Sequence, residues 1–340
     1  MKNILVFSLI TIGLLSACEN NNEGLMPNIS GKAYEVLVIM EDETWDQAPG
    51  KTMKAYLGED IYGLPQSEPL FNLVQIPSKA FSNIFKTHRN IIRCTINDDE
   101  RKNTITIKTN RYAKSQILIE IKAQNHEAFV DLLEANASQV IDRLNRQENE
   151  RIIRNYRNYE AIDLGQKLRE KHALSLVLPR GYTYDTNEEN FAWLSHETPK
   201  TSQGILIYHY PYTDTATFEK EALIRTRNEF LRKYVPGPIE NTYMTTEKNL
   251  PVSYREFLKD DQYFTELRGL WALEGPDFMG GPFVSYSTVD THRNRVITIE
   301  GYVFAPQSDK RNYLRQLEAI ISSFRIVPTE ESDTTQHSNS

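Results

Sequence analysis

The sequence predicts an α+β fold in which two lobes of antiparallel sheet pack against helices and a long helix joins the lobes. The chain has 340 residues, enough for roughly two domains of about 150 residues each. In both halves a strand pattern precedes an amphipathic helix pattern, at 117–122 with 125 onward and at 296–304 with 308 onward. Between them, the segment from Ala123 to Ala173 has no Pro and one Gly, which favours a long helix.

The first lobe is expected to span residues 32–170. The apolar run Tyr34–Met40 is typical of a strand buried on both faces. A helix pattern follows at 46–62, and further strand patterns lie at 70–76, 90–96, 103–109 and 115–122. The polar loop 97–103 predicts a hairpin between its flanking strands. Cys94 lies in a strand and is expected to be a buried structural residue rather than a nucleophile.

The long helix is expected to begin near Asn125 and to run for up to about 40 residues, with a break near Gly165. Its second half carries a series of arginines, Arg151, Arg154 and Arg157. These side chains either bind an anionic partner or form a solvated, salt-bridged helix face. The second interpretation is favoured because Glu148, Glu150 and Glu160 are interleaved with the arginines.

The second lobe is expected to span residues 171–327, followed by a disordered tail at 328–340 that is rich in Thr, Ser and Glu. An amphipathic helix pattern covers 216–234, and a last helix has Tyr313, Leu317 and Ile320 at helical spacing. Strand patterns occur at 174–178, 191–195, 205–210, 243–247, 252–258, 263–274, 283–289 and 295–304. This pattern places most of the second lobe in antiparallel sheet.

Composition excludes several classes of protein. The net charge of −7, from 39 Lys+Arg and 46 Asp+Glu, argues against a nucleic-acid partner, which requires clustered cations. With 39% hydrophobic residues the chain has enough apolar surface to fold. Two cysteines are too few for a disulfide scaffold or a multi-thiolate zinc module.

The first 17 residues have the pattern of a lipoprotein signal peptide. A positive start is followed by an apolar stretch, Ile4–Leu15, which is too short to span a membrane. Leu15-Ser16-Ala17-Cys18 matches a lipobox, so Cys18 is expected to be acylated with diacylglycerol and palmitate and to start the mature chain. Residues 18–31 then form a flexible tether. The alternatives are ordinary secretion with cleavage after Ala17, or a cytosolic protein with an apolar start.

The sequence contains no recognisable catalytic or metal-binding motif. A Gly-x-Ser-x-Gly elbow, a His-Glu-x-x-His helix and a phosphate loop are all missing, and the seven histidines are scattered. No catalytic residue, metal ligand or cofactor is therefore assigned. Asp290-Thr291-His292-Arg293-Asn294 is interpreted as a turn between two strands.

The most unusual segment is the loop at 275–282, which has three Gly and two Pro around Asp277, Phe278 and Met279. Fixed turns that expose apolar groups are typical of recognition loops. The candidate ligand- or partner-binding residues are Arg268, Trp271, Glu274, Asp277, Phe278 and Met279. The alternative is a wide hairpin in which Phe278 and Met279 pack into the core.

The lipobox and three further segments together resemble a known family: Tyr34–Met40 with Trp45 after it, Trp271–Pro282, and Glu300–Pro306. The chain resembles uncharacterised lipoproteins of the Bacteroidetes, classed as a domain of unknown function, over roughly residues 30–327. The resemblance implies a Gram-negative cell envelope and an outer-membrane location, with the periplasmic side or the surface left open. It implies no catalytic residue.

The sequence thus favours a lipid-anchored envelope protein that acts by binding or scaffolding. The lipid is expected to hold it to the membrane, and its partner is expected to be another envelope protein. One alternative is an envelope hydrolase with a dispersed site, formed by Asp277 or Glu274 with His292. Another is a carrier of a small apolar or glycan ligand, because the 18 tyrosines and three tryptophans could line a groove, although core and cross-strand packing is the favoured interpretation of these aromatic residues.

Overall fold

The computed structural model of the protein describes residues 26–275 and 279–328. The predicted mixed α+β class is confirmed. The signal peptide with Cys18, the loop residues Asp277 and Phe278, and residues 329–340 lie outside the described residues.

The first lobe contains one five-stranded sheet. Its strands are β1 (Glu35–Ile39), β2 (Asn72–Ile76), β3 (Asn90–Ile96), β4 (Thr104–Thr109) and β5 (Ile117–Ala123), in the spatial order β2-β1-β3-β5-β4. Only β4 and β5 pair antiparallel, whereas the other neighbours run parallel, so the expected antiparallel sheet is found only at this edge. The expected β3–β4 hairpin does not form because β5, whose side chains are largely buried, lies between the two strands.

Three short helices follow the first strands of this lobe. They are α1 (Asp42–Asp46), α2 (Ala48–Leu57) and α3 (Asn83–Lys86). The helix predicted over 46–62 is the shorter α2, which has Pro49 in its first turn, and α1 precedes it as a separate helix. Met53 and Leu57 of α2 are fully buried in the first core. Cys94 packs against the same core, and burial raises the pKa of its thiol, as expected for a structural cysteine.

The long helix is two helices, α4 (His126–Arg157) and α5 (Ile162–His172). Asn125 caps α4 by accepting a hydrogen bond from the Ala128 N–H at 2.9 Å. The break lies at 158–161, before Gly165, which is instead inside α5. The first half of α4 buries Phe129, Leu133, Val140 and Leu144 in the first core, and its end buries Ile153 and Tyr156 in the second. One continuous helix thus belongs to both cores.

The second lobe is built on an eight-stranded antiparallel sheet. Its strands are β7 (Thr183–Asn187), β8 (Phe191–Glu197), β9 (Ser202–Pro211), β10 (Tyr243–Thr246), β11 (Ser253–Lys259), β12 (Gln262–Glu274), β13 (Gly280–Asp290) and β14 (Arg295–Phe304). The order is β10-β12-β13-β14-β9-β8-β7, and β11 pairs with β12. The strand expected at 174–178 is only β6 (Leu174–Ser175), which pairs with β15 (Arg325–Ile326).

Helices cover both faces of this sheet. Alternate residues of β9 enter different cores, Ile205 and Ile207 in one and Leu206 and Tyr208 in the other. Helix α6 (Lys220–Tyr234) packs on the Leu206 face, whereas α5 and α7 (Arg311–Ser322) pack on the Ile205 face. Among the described residues, no helix is both long and apolar enough to cross a membrane.

A carboxylate from the first lobe caps a helix of the second. Glu68, in the loop before β2, accepts hydrogen bonds from the backbone N–H groups of Lys310 and Arg311 at 2.7 and 2.9 Å. Arg311 returns a hydrogen bond to the Pro69 carbonyl at 2.9 Å. A carboxylate at a helix N-terminus satisfies free N–H groups and interacts favourably with the helix dipole, so this contact joins the lobes.

Candidate functional site

A cleft of about 1440 Å³ lies between the two lobes. Helices α4 and α5 form one wall, and β11, β12 and α7 form the other wall and the floor. Its described lining holds nine basic and six acidic side chains, an excess of three positive charges in a chain whose net charge is −7. The basic residues are Arg146, Arg154, Arg157, Arg169, Arg255, Lys259, Arg268, Arg315 and Arg325.

The floor of the cleft is a chain of alternating charges. Arg255 donates two hydrogen bonds to Glu266, both at 3.0 Å, because the two residues face each other across the β11–β12 ladder. Arg268 donates to Glu318 at 2.6 Å and approaches Glu266 at 3.4 Å. Arg315 donates to the other oxygen of Glu318 at 2.8 Å, one turn away on α7. Three guanidinium groups therefore oppose two carboxylates, which leaves one positive charge in excess.

The floor stays ionised near neutral pH. Burial alone would raise the pKa of Glu266, but Arg268 and Arg255 outweigh it and lower that pKa to about 2. Burial would also raise the pKa of Glu318, but the positive charges of Arg315 and Arg268 lower it below its usual value. For Tyr286, which lines the cleft, burial and the nearby carboxylates raise the pKa, so its hydroxyl stays neutral and able to donate.

Arg315 has unused hydrogen-bonding capacity. The residue is 6% exposed, and its Nε is buried with no partner among the described residues. The guanidinium also lies over the ring of Tyr34 from the first lobe, at 5.1 Å from the centroid. A buried donor without an acceptor costs free energy, so Arg315 is held at the floor by its ion pair with Glu318 in spite of this cost.

The wall formed by α4 and α5 carries exposed arginines. Arg146, Arg157 and Arg169 have no side-chain partner within the part of the chain that the structure describes, and Arg154 donates to the Ser115 hydroxyl. Among the described residues of the series Arg151, Arg154 and Arg157, only Arg151 forms an ion pair, and it is buried, whereas Arg154 and Arg157 are exposed as the solvated interpretation predicts.

That buried ion pair is part of the first lobe. Arg151 donates to Glu148 at 2.8 Å, and Arg89 reaches the second oxygen of the same carboxylate at 2.6 Å. Asn90 at the start of β3 donates to Glu148 at 2.7 Å, which fixes the end of α4 against the parallel sheet. Arg151 is therefore a structural residue, whereas its neighbours along the helix remain available to a ligand.

Of the four candidate residues that the structure describes, Trp271 and Met279 lie together in the core, whereas Arg268 and Glu274 lie at separate places. Arg268 lies in the cleft floor. Trp271 is 3% exposed, and its indole N–H donates to the Val303 carbonyl at 3.2 Å, which makes it a core residue. Glu274, at the end of β12, lies 3.4 Å from Lys248 and lines a smaller pocket of about 530 Å³ against α6. Met279 is half-buried and packs against the core around Trp271. Asp277 and Phe278 lie outside the described residues.

The Glu274–His292 pair considered for a hydrolase does not form. His292 lies in the β13–β14 turn, as expected, where its N–H donates to Asp290 at 3.2 Å. Glu274 lies at the opposite end of the same sheet, because β12 meets β13 at Ala272–Gly280 and β13 reaches its turn at Asp290. Ten residues of strand separate the two ends by about 33 Å. Residues 26–275 and 279–328 also contain no group of three or more His, Cys, Asp or Glu suited to a metal ion.

Two family models match the sequence. One, described as Domain of unknown function (DUF8532), matches residues 29–157, and the other, Domain of unknown function (DUF4837), matches residues 162–323. Two domains of unknown function thus span nearly the whole chain. The boundary between them falls at the break between α4 and α5, so the cleft is lined by residues of both domains. No curated protein matches the sequence.

Solved structures show distant similarity to part of the chain. One is cyanobacterial PsbP (CyanoP) from Synechocystis, with 14% identity, a TM-score of 0.31, and coverage of 46% of this chain and 88% of that one. Another is the Ran-binding protein Mog1p of Saccharomyces cerevisiae, with 10% identity, a TM-score of 0.29, and coverage of 46% and 91%.

Proposed function

We propose that this protein is a lipid-anchored protein of the cell envelope that binds an anionic ligand in the cleft between its lobes without transforming it. The observation that carries the proposal is the excess of positive charge around this cleft of an acidic chain, nine basic side chains against seven carboxylates when Glu266 of the floor is counted with the lining. A concave site whose lining carries a net charge concentrates ligands of the opposite sign.

The chemistry of the floor favours phosphate or carboxylate groups. A guanidinium group presents a planar fork of donors that matches either anion in a bidentate geometry. Glu266 and Glu318 hold Arg255, Arg268 and Arg315 in place before a ligand arrives, so little side-chain entropy is lost on binding. The same carboxylates keep their charges, because their pKa values are lowered, and do not supply a proton near neutral pH. This supports binding rather than acid–base catalysis.

The envelope location is proposed from the N-terminal sequence. The lipobox Leu15–Cys18 and the family resemblance support a lipoprotein whose acyl chains anchor it in the outer membrane. Metabolic labelling with palmitate, followed by membrane fractionation, tests this part. The wild-type chain is expected to take up label and to fractionate with outer membranes, whereas Cys18→Ser is expected to lose both properties. Label retained by Cys18→Ser would contradict the assignment.

Binding is tested by calorimetric titration with inorganic pyrophosphate. The full chain carrying Cys18→Ser, which removes only the proposed acylation site, is compared with a variant that also carries Arg146→Gln, Arg157→Gln and Arg169→Gln. These side chains are exposed, so the fold is expected to persist. The affinity is expected to fall at least about tenfold, or about 1.4 kcal/mol.

A matched control removes three positive charges elsewhere. Arg101→Gln, Lys102→Gln and Lys200→Gln change exposed residues that do not line the cleft. The control is expected to retain its affinity within about twofold at about 0.15 M salt, where distant charges are screened. An equal loss in both variants, or no binding by the parent chain, would contradict the proposed function.

A further inference from the structure

The last strand of the fold leads the chain past one end of the cleft. Arg325 in β15 pairs with Ser175 in β6, and both residues line the cleft. Two residues later, the Val327 N–H donates to the carbonyl of Ala173, which caps the end of α5. The Ala173 N–H in turn donates to the carbonyl of Arg169, another lining residue. The chain therefore leaves the fold within about one helical turn of the cleft lining.

The sequence beyond this point carries acidic residues and no Lys or Arg. We call residues 329–340, which lie outside the described residues, the acidic segment. Its acidic residues are Glu330, Glu331 and Asp333. An extended chain advances by about 3.3–3.6 Å per residue, so these carboxylates can lie up to roughly 20 Å from Val327. Arg325 is only two strand residues, or about 7 Å, from the same point.

Three basic side chains line the cleft at this end, namely Arg169, Lys259 and Arg325. Arg169 is exposed and has no side-chain partner in the described part of the chain. Arg325 pairs with Asp260 at 3.3 Å, and both side chains are mostly exposed, so this pair stabilises little and can be exchanged for another carboxylate. With Glu170 and Asp260 as the exposed carboxylates here, the three cations are only partly neutralised.

Lys259 is the most enclosed of the three cations. Its ammonium group donates to the Ser322 carbonyl at the end of α7. Burial and the nearby charge of Arg325 lower the pKa of Lys259 to about 8. A carboxylate placed between Lys259 and Arg325 would reduce their repulsion and favour the charged form of the lysine.

We propose that the acidic segment folds back onto Arg169, Lys259 and Arg325 and competes with the external anionic ligand of the cleft. This inference rests on the proposed function and names a regulation of the same site. Because the segment is tethered beside the cleft, its effective concentration there is high, and individually weak ion pairs suffice to occupy the site. The apparent affinity for a free anion falls in proportion to the fraction of chains whose cleft is open.

The competition is tested by calorimetric titration with inorganic pyrophosphate. The parent is the full chain carrying Cys18→Ser, and the tail variant adds Glu330→Gln, Glu331→Gln and Asp333→Asn. These substitutions remove the charges and nearly keep the side-chain sizes. The tail variant is expected to bind pyrophosphate about threefold to tenfold more tightly than the parent.

A matched control removes three acidic charges elsewhere in the full chain. Asp98→Asn, Asp99→Asn and Glu134→Gln change exposed residues that do not line the cleft. This control is expected to bind pyrophosphate within about twofold of the parent at about 0.15 M salt, where distant charges are screened. An equal gain in both variants would show that net charge, rather than the acidic segment, sets the affinity.

A second test detects the contact without an added anion. A carbodiimide joins a carboxylate to a lysine amine that it touches, and mass spectrometry of the digested parent identifies the pair. Amide links from Glu330 or Glu331 to Lys259 are expected, and saturating pyrophosphate is expected to lower their yield. Lys171 is the internal comparison, because it is exposed near the end of α5 but does not line the cleft. It is expected to be linked less than Lys259.

The outcomes separate this inference from the proposed function. If the tail variant binds pyrophosphate as the parent does, or if the acidic segment is linked to Lys171 rather than to Lys259, the inference is overturned while the cleft still binds anions. Links that join two chains, found in a covalent dimer, would assign the cleft to the segment of a second copy and also overturn it. If neither the parent nor the tail variant binds pyrophosphate, the proposed function fails, and this regulation fails with it.

Discussion

Glu318 on α7 accepts a hydrogen bond from Arg268 on β12, with 2.6 Å between Oε1 and Nη1. Its other oxygen accepts from Arg315 at 2.8 Å, so one buried carboxylate orients two guanidinium groups of the cleft floor. The ion pair links the last helix to the sheet of the second lobe and also sets the charge of the cleft.

Replacing Glu318 is expected to lower the stability of the protein while raising its affinity for an anion. Glu318→Gln removes a negative charge from the floor, so pyrophosphate affinity is expected to rise several-fold. It also leaves Arg315 without its carboxylate partner and Arg268 with Glu266 alone, which is expected to lower the free energy of unfolding by about 3 kcal/mol. Urea denaturation and calorimetric titration measure the two effects.

Glu150 provides the control for this experiment. It is an exposed acidic residue of the same cleft, on α4. Glu150→Gln is expected to raise the affinity by the same mechanism, with a change in unfolding free energy within about 0.5 kcal/mol. Unchanged stability of Glu318→Gln would show that the buried pair does not hold the floor.

The contact between Glu68 and α7 is expected to stabilise the whole chain. Glu68→Gln keeps the shape of the side chain but removes its charge from the helix N-terminus, at an expected cost of about 1–2 kcal/mol of unfolding free energy. Thermal and urea denaturation provide the measurement. Glu59→Gln, an exposed carboxylate without a side-chain partner in the described part of the chain, is expected to be neutral. Equal stabilities of the two variants would argue against the cap.

Another buried ion pair joins α6 to β14. Arg227 donates from Nε and Nη2 to Glu300, both at 2.8 Å, and both side chains are fully buried. Arg227→Met is expected to destabilise the protein by about 3–5 kcal/mol, because it leaves a buried carboxylate unpaired. The double variant with Glu300→Met is expected to recover at least half of that loss. A double variant less stable than Arg227→Met would contradict this account of the pair.

Acid is expected to destabilise the protein through His172 and His209, whose rings lie 6.0 Å apart. Burial lowers the pKa of His172, and burial with Arg295 lowers that of His209 to about 4. The unfolded chain, with a histidine pKa of about 6.5, therefore takes up protons first as the pH falls. The stabilisation is complete above about pH 6.5 and is lost as the pH falls towards about 4.

Urea midpoints measured from about pH 7.5 to about pH 4.5 test this sign. The His209→Gln variant is expected to show a shallower decline than the parent chain. His126→Gln, at the start of α4 and outside this cluster, is expected to follow the parent. A parent whose stability rises as the pH falls through this range would contradict the prediction.

The α+β class could be predicted because the spacing of apolar residues along a helix or strand depends only on the local sequence. The alternation at Thr104–Thr109 correctly indicated a half-exposed strand, which is the edge strand β4. It did not indicate that β5 lies between β3 and β4, since strand order depends on packing between distant segments. The break before α5 was placed at Gly165, although the helix ends at Arg157.

The cleft was only partly visible in the sequence. The arginine series of α4 pointed to one wall, but interleaved glutamates favoured a solvated face. The floor was not predictable, because Arg268 and Glu318 lie 50 residues apart and meet only when α7 packs on the sheet. Arg268 was predicted as a site residue because it precedes the loop at 275–282. Trp271 was predicted for the same reason, but it is a core residue.

The position of a bound anion shows whether the cleft floor binds the ligand. Crystals of the chain carrying Cys18→Ser, soaked in tungstate, would locate a tetrahedral dianion by its anomalous scattering. The account predicts that the strongest anomalous peak lies in the cleft, within about 4 Å of a guanidinium nitrogen of Arg255, Arg268 or Arg315. It also predicts a weaker peak when Arg146, Arg157 and Arg169 are replaced by Gln. A strongest peak outside the cleft, with the cleft filled only by water, would contradict it.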